Sequence, residues 1–112
     1  MDATLREDSG VQVIEAKGEL DLAHAPKIRI LFDQIVSKKA SPVLVNFSGI
    51  TYIDSSGVAT IIDAMQRTKK YKGTLALCGV NQVVKSVLEI AKVYSLFTIF
   101  PDEATGLEKL KS

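Results

Sequence analysis

The chain has 112 residues, of which 46% are apolar and 24% are charged, a composition typical of one globular domain rather than of a disordered chain. Fourteen Lys and Arg residues balance thirteen Asp and Glu residues, so the formal charge of +1 does not favour nucleic acid as a partner. No apolar run approaches the roughly 20 residues of a membrane-spanning helix, and the polar first ten residues contain no signal-peptide core. We therefore expect a single cytoplasmic domain over residues 1–112, without membrane insertion.

The first half of the chain predicts a hairpin, a helix and a buried strand. Residues 4–7 and 11–17 flank a turn-forming Asp-Ser-Gly cluster and predict the hairpin, and the segment 18–21 is expected to end its second strand. A helix is expected over residues 26–39, because Pro26 is typical of a first helical turn and apolar residues then recur every three or four positions. The β-branched run 43–47 predicts a strand covered on both faces.

The second half predicts three more helices alternating with two more strands. A helix is expected from Gly57 to Gly73, a strand over 74–78, a helix over 83–91, a strand over 97–100 and a closing helix over 102–111. The apolar positions that define these helices are Val58, Ile61, Ile62 and Met65, then Val83, Val84, Val87, Leu88 and Ala91, then Ala104, Leu107 and Leu110. The resulting order, β-β-α-β-α-β-α-β-α, predicts an α/β fold with a mixed sheet of four to five strands and about four packed helices.

Two residue types argue against a metal site. Cys78 is the only cysteine and lies in the apolar stretch TLALCG, which predicts a buried thiol in the core. His24 is the only histidine, so no Cys and His set for a metal exists, and we expect His24 to lie at the surface or at a helix entry. No cofactor is predicted.

The most informative stretch is Asp54-Ser55-Ser56-Gly57, where an apolar run meets a helical pattern. Turns between a strand and a helix are where α/β folds place functional residues. The alternative is plain helix capping, since Asp and Ser are preferred caps. A capping box is excluded because Val58 and Ala59 stand three residues after the two serines.

Catalytic interpretations of the same residues are weaker. A nucleophilic Ser55 or Ser56 needs a base, and His24 is predicted on another loop, while the G-x-S-x-G pattern is absent. Neither a P-loop nor a G-x-G-x-x-G motif occurs. Asp21 and Asp54 could form a metal-binding or acid–base pair, but two carboxylates on separate loops more commonly serve as helix caps. We therefore expect a protein that is not an enzyme, and keep a small hydrolase or nucleotide-binding enzyme as a minor alternative.

Three stretches together indicate a family. Gly-Glu-Leu-Asp at 18–21, VLVNFS at 43–48 and YIDSSG at 52–57 resemble the STAS domain, specifically the bacterial anti-sigma factor antagonists, also called anti-anti-sigma factors. The resemblance extends over nearly the whole chain, including NQVVKSVLEI and SLFTIF. It implies a single STAS domain over residues 1–112.

The resemblance also implies a function and a site. In that family the serine after the aspartate is phosphorylated by an anti-sigma factor that is a serine kinase, and the unphosphorylated form binds this partner and frees a sigma factor. Carried over, Ser55 is the phosphorylated residue and Ser56 is a helix cap, and a phosphatase is a further implied partner. The implied partner-binding residues are Asp21, Asp54, Ser55, Ser56, Gly57 and Val58.

Two points stay open at this stage. Val58-Ala59 stand where many family members have Leu-Gly, a departure that could alter how a kinase approaches the loop. The alternative partner is a transporter ATPase, or a stress-signalling complex, to which the same loop and helix would bind.

Overall fold

The computed structural model describes residues 1–111 and contains five strands and four α-helices within that range. The strands are β1 (Asp2–Asp8), β2 (Val11–Leu20), β3 (Val43–Ile53), β4 (Leu75–Cys78) and β5 (Thr98–Phe100). The α-helices are α1 (Ala25–Ser37), α2 (Ser55–Lys70), α3 (Gln82–Ile90) and α4 (Glu103–Leu110), and a short 3-10 helix spans Tyr94–Leu96. The predicted fold class and element order are confirmed.

The strands form one mixed sheet in the order β1-β2-β3-β4-β5. The hairpin β1–β2 is antiparallel, and the remaining neighbours are parallel. Parallel neighbours require crossover helices, which is why α1, α2 and α3 each follow a strand of the parallel part.

Helices cover both faces of the sheet, but unequally. The larger core lies under α1, α2 and α3, where Phe32, Ile61 and Leu88 meet Val45 and Phe47. The smaller core lies on the opposite face under α4 and contains Val11, Val13, Leu44, Ala76 and Cys78. Successive residues of β3 belong alternately to the larger core (Val43, Val45, Phe47) and to the smaller core (Leu44). This confirms that the strand is covered on both faces. The predicted core position of the Cys78 thiol is confirmed as well.

Two strands extend beyond their predicted ends. The expectation that residues 18–21 break the second strand is wrong, because β2 continues to Leu20 through register shifts, with Gly18 at φ +106°. Strand β3 likewise continues past Gly49 to Ile53. A Cβ on Gly49 would lie 2.6 Å from Lys17 Cγ. The glycine therefore leaves room for the irregular stretch of β2 and does not end β3.

Three predicted core positions face solvent instead. Val83 is 54% exposed, and Ala91 and Ala104 are also exposed. Helices α3 and α4 have only nine and eight residues, so each buries a narrow stripe, Val84 with Leu88 in α3 and Gly106 in α4.

Candidate functional site

The sheet brings the two motifs of the sequence together. Strands β2 and β3 are parallel neighbours, and their last paired residues are Leu20 and Ile53. Asp21 and Asp54 therefore follow directly from adjacent strand ends at the carboxyl edge of the sheet. This edge is the usual location of binding sites in open α/β folds.

Asp54 is the N-cap of α2 and connects both loops. One carboxylate oxygen, Oδ1, accepts the backbone N–H of Gly57 at 3.0 Å, and the other, Oδ2, accepts the backbone N–H of Leu22 at 3.1 Å. The expectation that Ser56 caps the helix is wrong, because Ser56 is already the second helical residue. The Ser56 carbonyl accepts the hydroxyl of Thr60 at 2.8 Å.

Asp21 stabilises the loop that leads into α1, whose N-cap residue is His24. Its Oδ1 accepts the backbone N–H of His24 at 3.1 Å and lies 2.7 Å from His24 Nδ1. The Asp21 carbonyl also accepts the backbone N–H of Ala25 at 2.8 Å. His24 thus lies at a helix entry, as predicted, and the loop between β2 and α1 is fixed at both ends.

Gly57 allows α2 to start against the strand ends. It is buried, and a Cβ there would collide with the Leu20 carbonyl oxygen and lie 2.7 Å from Ile53 Cγ1. The glycine is required by this close approach to β2 and β3, not by a flexible hinge. The first turn of α2 is therefore held rigidly on the sheet.

Ser55 is the first residue of α2 and is exposed. Within residues 1–111 none of the side-chain hydrogen bonds involves the Ser55 hydroxyl, in contrast to the neighbouring Asp54 carboxylate. The serine therefore presents a free hydroxyl on a rigid turn. Such an arrangement suits covalent modification by another protein, since no internal bond has to break.

An apolar groove of about 400 Å³ begins at Ser55 and runs between α2 and α3. We call it the Ser55 groove; its lining residues are Ser55, Val58, Ala59, Ile62, Val87, Ile90 and Ala91. Ile90 is 82% exposed, and Leu22 on the adjacent loop is 74% exposed. Large apolar side chains that solvent reaches beside a concave surface are typical of a protein-binding site.

The electrostatic setting of Ser55 comes from the helix itself. The start of α2 has the partial positive charge of the helix dipole, and the first turn contains no acidic side chain. Arg67, Lys69 and Lys70 lie in the last turn, at the far end of the helix. The nearest motif carboxylate, Asp54, adds a negative charge directly before Ser55.

Metal ligands and the histidine are not gathered around Ser55 in the described residues. Between residues 1 and 111 no three His, Cys, Asp or Glu side chains are grouped so that they could hold a metal ion. His24 contacts Asp21, and no hydrogen bond between His24 and Ser55 occurs in this part of the chain.

Among residues 1–111 no helix combines the length and the apolar character needed to cross a membrane.

Fold and site together define an α/β domain that presents a serine at the start of a helix after a parallel strand. The family model described as the STAS domain matches residues 2–106. This chain therefore belongs to the STAS domain family.

Similar proteins carry a consistent description. The anti-sigma F factor antagonist of Paenibacillus polymyxa is 23% identical over 103 residues, which cover 91% of this chain and 88% of the relative. The crystal structure of an anti-sigma factor antagonist from Mycobacterium paratuberculosis has a TM-score of 0.89 at 15% identity, covering 99% of this chain and 94% of its own.

A third similar protein, the anti-sigma factor antagonist SpoIIAA, has been solved in two forms. The unphosphorylated form has a TM-score of 0.83 at 20% identity and covers 98% of this chain and 96% of its own. The phosphorylated form, described as a Bacillus cell fate determinant, has a TM-score of 0.76 at 20% identity and covers 96% of this chain and 98% of its own. At these identities the structural similarity establishes the fold.

Proposed function

We propose that this protein is a cytoplasmic anti-sigma factor antagonist that is switched by phosphorylation of Ser55. In its unphosphorylated form it binds an anti-sigma factor serine kinase, and this binding releases a sigma factor. A phosphatase restores the active form. The observation that carries the proposal is the exposed Ser55 hydroxyl on a rigid helix start beside an apolar groove, and the descriptions of the relatives support the same class.

Phosphorylation is expected to leave the domain folded. A phosphoserine adds about −1.5 to −2 charges, and the positive end of α2 stabilises it by about 0.3–1 kcal/mol. The adjacent Asp54 carboxylate opposes this gain. Because Ser55 is exposed, the phosphate stays in water and displaces no core side chain.

Partner binding should be sensitive to the phosphate, because a bound partner removes water from around Ser55. A dianion pressed against an apolar surface without matched cations loses several kcal/mol of hydration, and each 1.4 kcal/mol changes affinity tenfold. The Ser55 groove contains no charged lining residue that could pair with the phosphate. One covalent change can therefore reduce the affinity by orders of magnitude without refolding the domain.

The six predicted site residues divide into two groups. Ser55 and Val58 line the groove and are proposed to contact the partner directly. Asp21, Asp54 and Gly57 hold the two loops and the first turn of α2 in place, through hydrogen bonds and close packing. Ser56 belongs to the same turn, and its backbone carbonyl accepts the hydroxyl of Thr60. We propose that this second group acts on binding mainly by positioning.

The proposal is tested by incubating the protein with ATP and each of several candidate anti-sigma factor kinases, then mapping the phosphate by mass spectrometry. We expect one phosphate, on Ser55, none in Ser55→Ala, and unchanged labelling in the control Ser95→Ala, which changes an exposed serine that does not line the groove. Labelling of Ser56 alone, or the absence of labelling with each candidate kinase, would overturn the proposal. A pull-down that retrieves a transporter ATPase instead of a kinase would support the alternative partner.

A further inference from the structure

Helix α4 is the only helix of residues 1–111 that covers the smaller core. The buried residues of this core lie on β2, β3 and β4, and α4 packs against them through Leu107 and Leu110. Helices α1, α2 and α3 belong to the larger core on the opposite face of the sheet. Removal of α4 from the sheet would therefore uncover the smaller core without disturbing the larger one.

Apolar burial holds α4 less firmly than the other helices. Gly106 is the one buried residue of α4, whereas α1, α2 and α3 each bury at least two side chains of the size of Val or larger. Leu107 and Leu110 remain partly exposed. Because burial of an apolar face provides most of the stability of a helix in a folded protein, we expect α4 to leave the sheet before the others do.

The polar contacts between α4 and the sheet are confined to the first residue of the helix. Glu103 Oε1 accepts Arg6 Nη2 at 2.6 Å and Asn46 Nδ2 at 3.2 Å. Asn46 is oriented in turn by Ser48, whose backbone N–H and hydroxyl donate to Asn46 Oδ1 at 2.9 Å and 2.7 Å. Within residues 1–111 no side-chain hydrogen bond connects the rest of α4 to the sheet.

Gly106 allows α4 to approach the sheet but weakens it as an isolated helix. A Cβ on Gly106 would lie 2.9 Å from Leu44 Cδ2 and 3.3 Å from Phe100 Cδ2. Glycine in the interior of a helix is unfavourable, and a helix of eight residues is unstable without tertiary contacts. We therefore expect α4 to unfold when it leaves the sheet rather than to move as a rigid helix.

We infer that α4 is a lid on the smaller core, which opens by local unfolding while the larger core stays folded. Pro101 and Asp102 alone connect α4 to β5, and no further element follows α4 within residues 1–111, so its opening breaks no strand pairing. The open state exposes the face of β2, β3 and β4 that contains the Cys78 thiol, which is fully buried when the lid is closed. This face lies opposite the Ser55 groove, so the inference and its test do not depend on a kinase.

Thiol labelling of the whole chain tests the lid, because Cys78 is the only cysteine. The matched control is Val45→Cys combined with Cys78→Val, which moves the thiol to the larger core. Val45 is also fully buried, and it directly precedes Asn46, the residue of β3 that pairs with Cys78. With excess Ellman's reagent we expect Cys78 to react at least about 100-fold faster than the control, because the control reacts only when the larger core unfolds.

The dependence of these rates on urea provides a second distinction. Concentrations up to about 1 M should accelerate the control strongly and Cys78 only slightly, since opening of α4 exposes much less surface than global unfolding does. Both thiols should remain much slower than the thiol of the fully unfolded chain.

Substitutions in the two cores should affect the two thiols differently. Ile61→Val in the larger core should accelerate the control about fivefold and leave Cys78 unchanged, because the open state retains the larger core. Leu107→Ala should accelerate Cys78 about tenfold and Glu103→Gln about threefold, because both weaken the closed state. Glu108→Gln makes the same change of charge at an exposed position of α4 and should have no effect.

Equal labelling rates of Cys78 and the control, with the same dependence on urea, would overturn the inference, since only global unfolding would then expose Cys78. A Cys78 rate that neither Leu107→Ala nor Glu103→Gln changes would also overturn it. Circular dichroism of each variant verifies that the labelled protein is folded.

Amide hydrogen exchange of the wild type is a further measurement that requires no variant. The Gly106 N–H bonds to the Asp102 carbonyl at 3.1 Å within α4. We expect this amide to exchange with the same opening constant as the labelling of Cys78, and at least about 100-fold more often than the amides in the centre of β3. One common opening constant for α4 and β3 would contradict the lid.

Discussion

The carboxylate of Asp54 accepts the backbone N–H of Leu22 at 3.1 Å, although 32 positions separate the two residues. The other oxygen of the same carboxylate caps α2 through Gly57. One side chain thus connects the loop after β2 to the helix after β3. The geometry around Ser55 depends on this connection, because both loops at the carboxyl edge are fixed relative to each other.

Replacing Asp54 by Ala should destabilise the domain by about 1–3 kcal/mol, since a helix cap and a second acceptor are lost together. Asp54→Asn should cost less, because the amide oxygen can still accept one of the two N–H groups. Urea unfolding followed by circular dichroism measures both changes. Equal stability of Asp54→Ala and the wild type would show that the two hydrogen bonds contribute nothing.

Replacing Gly57 by Ala should destabilise the domain by at least about 2 kcal/mol, because the new methyl group collides with the Leu20 carbonyl and Ile53. The start of α2 would have to move away from the strand ends. Ser55→Ala is the matched control two residues earlier and should change stability by less than about 0.5 kcal/mol, since Ser55 is exposed. Similar unfolding midpoints for Gly57→Ala and the wild type would contradict the packing described for this turn.

The contact between Arg6 and Glu103 should make stability depend on pH. The 2.6 Å hydrogen bond from Arg6 lowers the pKa of Glu103, and Asn46 contributes to the same shift. Because the folded pKa lies below the unfolded one, the contribution is present above about pH 4.3, the ordinary value of Glu, and is lost as the pH falls through the folded pKa. Arg6 is 40% exposed, so solvent screening limits the contribution to about 1 kcal/mol or less.

Thermal unfolding of the wild type and Glu103→Gln between about pH 3 and pH 7 measures this dependence. The variant should lose stability near neutral pH and should approach the wild type at the acid end. Arg6→Gln should behave in the same way, and the double variant should add little to either single change. A constant difference between Glu103→Gln and the wild type at every pH would refute the ionic role of this contact.

The Cys78 thiol should be unreactive in the folded protein. Burial raises its pKa to about 12, with a smaller contribution from the nearby Glu103 charge, so almost no thiolate exists at neutral pH. Labelling with Ellman's reagent should be slow in buffer and rapid in guanidinium chloride. Labelling at similar rates under the two conditions would contradict the buried position.

Much of the fold follows from apolar spacing alone. Ile28, Phe32 and Ile35 are all buried, as their intervals of three and four positions predict. The ends of β2 and β3 do not follow from such local rules, because Gly18 and Gly49 are turn formers in isolation. In this fold both glycines lie in the irregular part of the pairing between β2 and β3, where each residue pairs with one about 30 positions away in the sequence.

The site shows the same division between local and long-range information. The sequence predicts that a cap lies within the Asp-Ser-Ser segment, but each of these residue types is a good cap. Asp54 takes the role because the pairing of Leu20 with Ile53 determines where β3 ends. The Ser55 groove forms because α3 packs beside α2. The sequence around Ile90 does not indicate that this side chain is exposed beside the groove.

The central claim is that a phosphate on Ser55 prevents partner binding while the domain stays folded. Isothermal titration calorimetry with the anti-sigma kinase, comparing the unphosphorylated protein with protein quantitatively phosphorylated at Ser55, tests it most directly. The account predicts an affinity at least about 100-fold weaker for the phosphorylated form, with little change in its unfolding temperature. Equal affinities of the two forms, or a phosphorylated form that is unfolded, would contradict it.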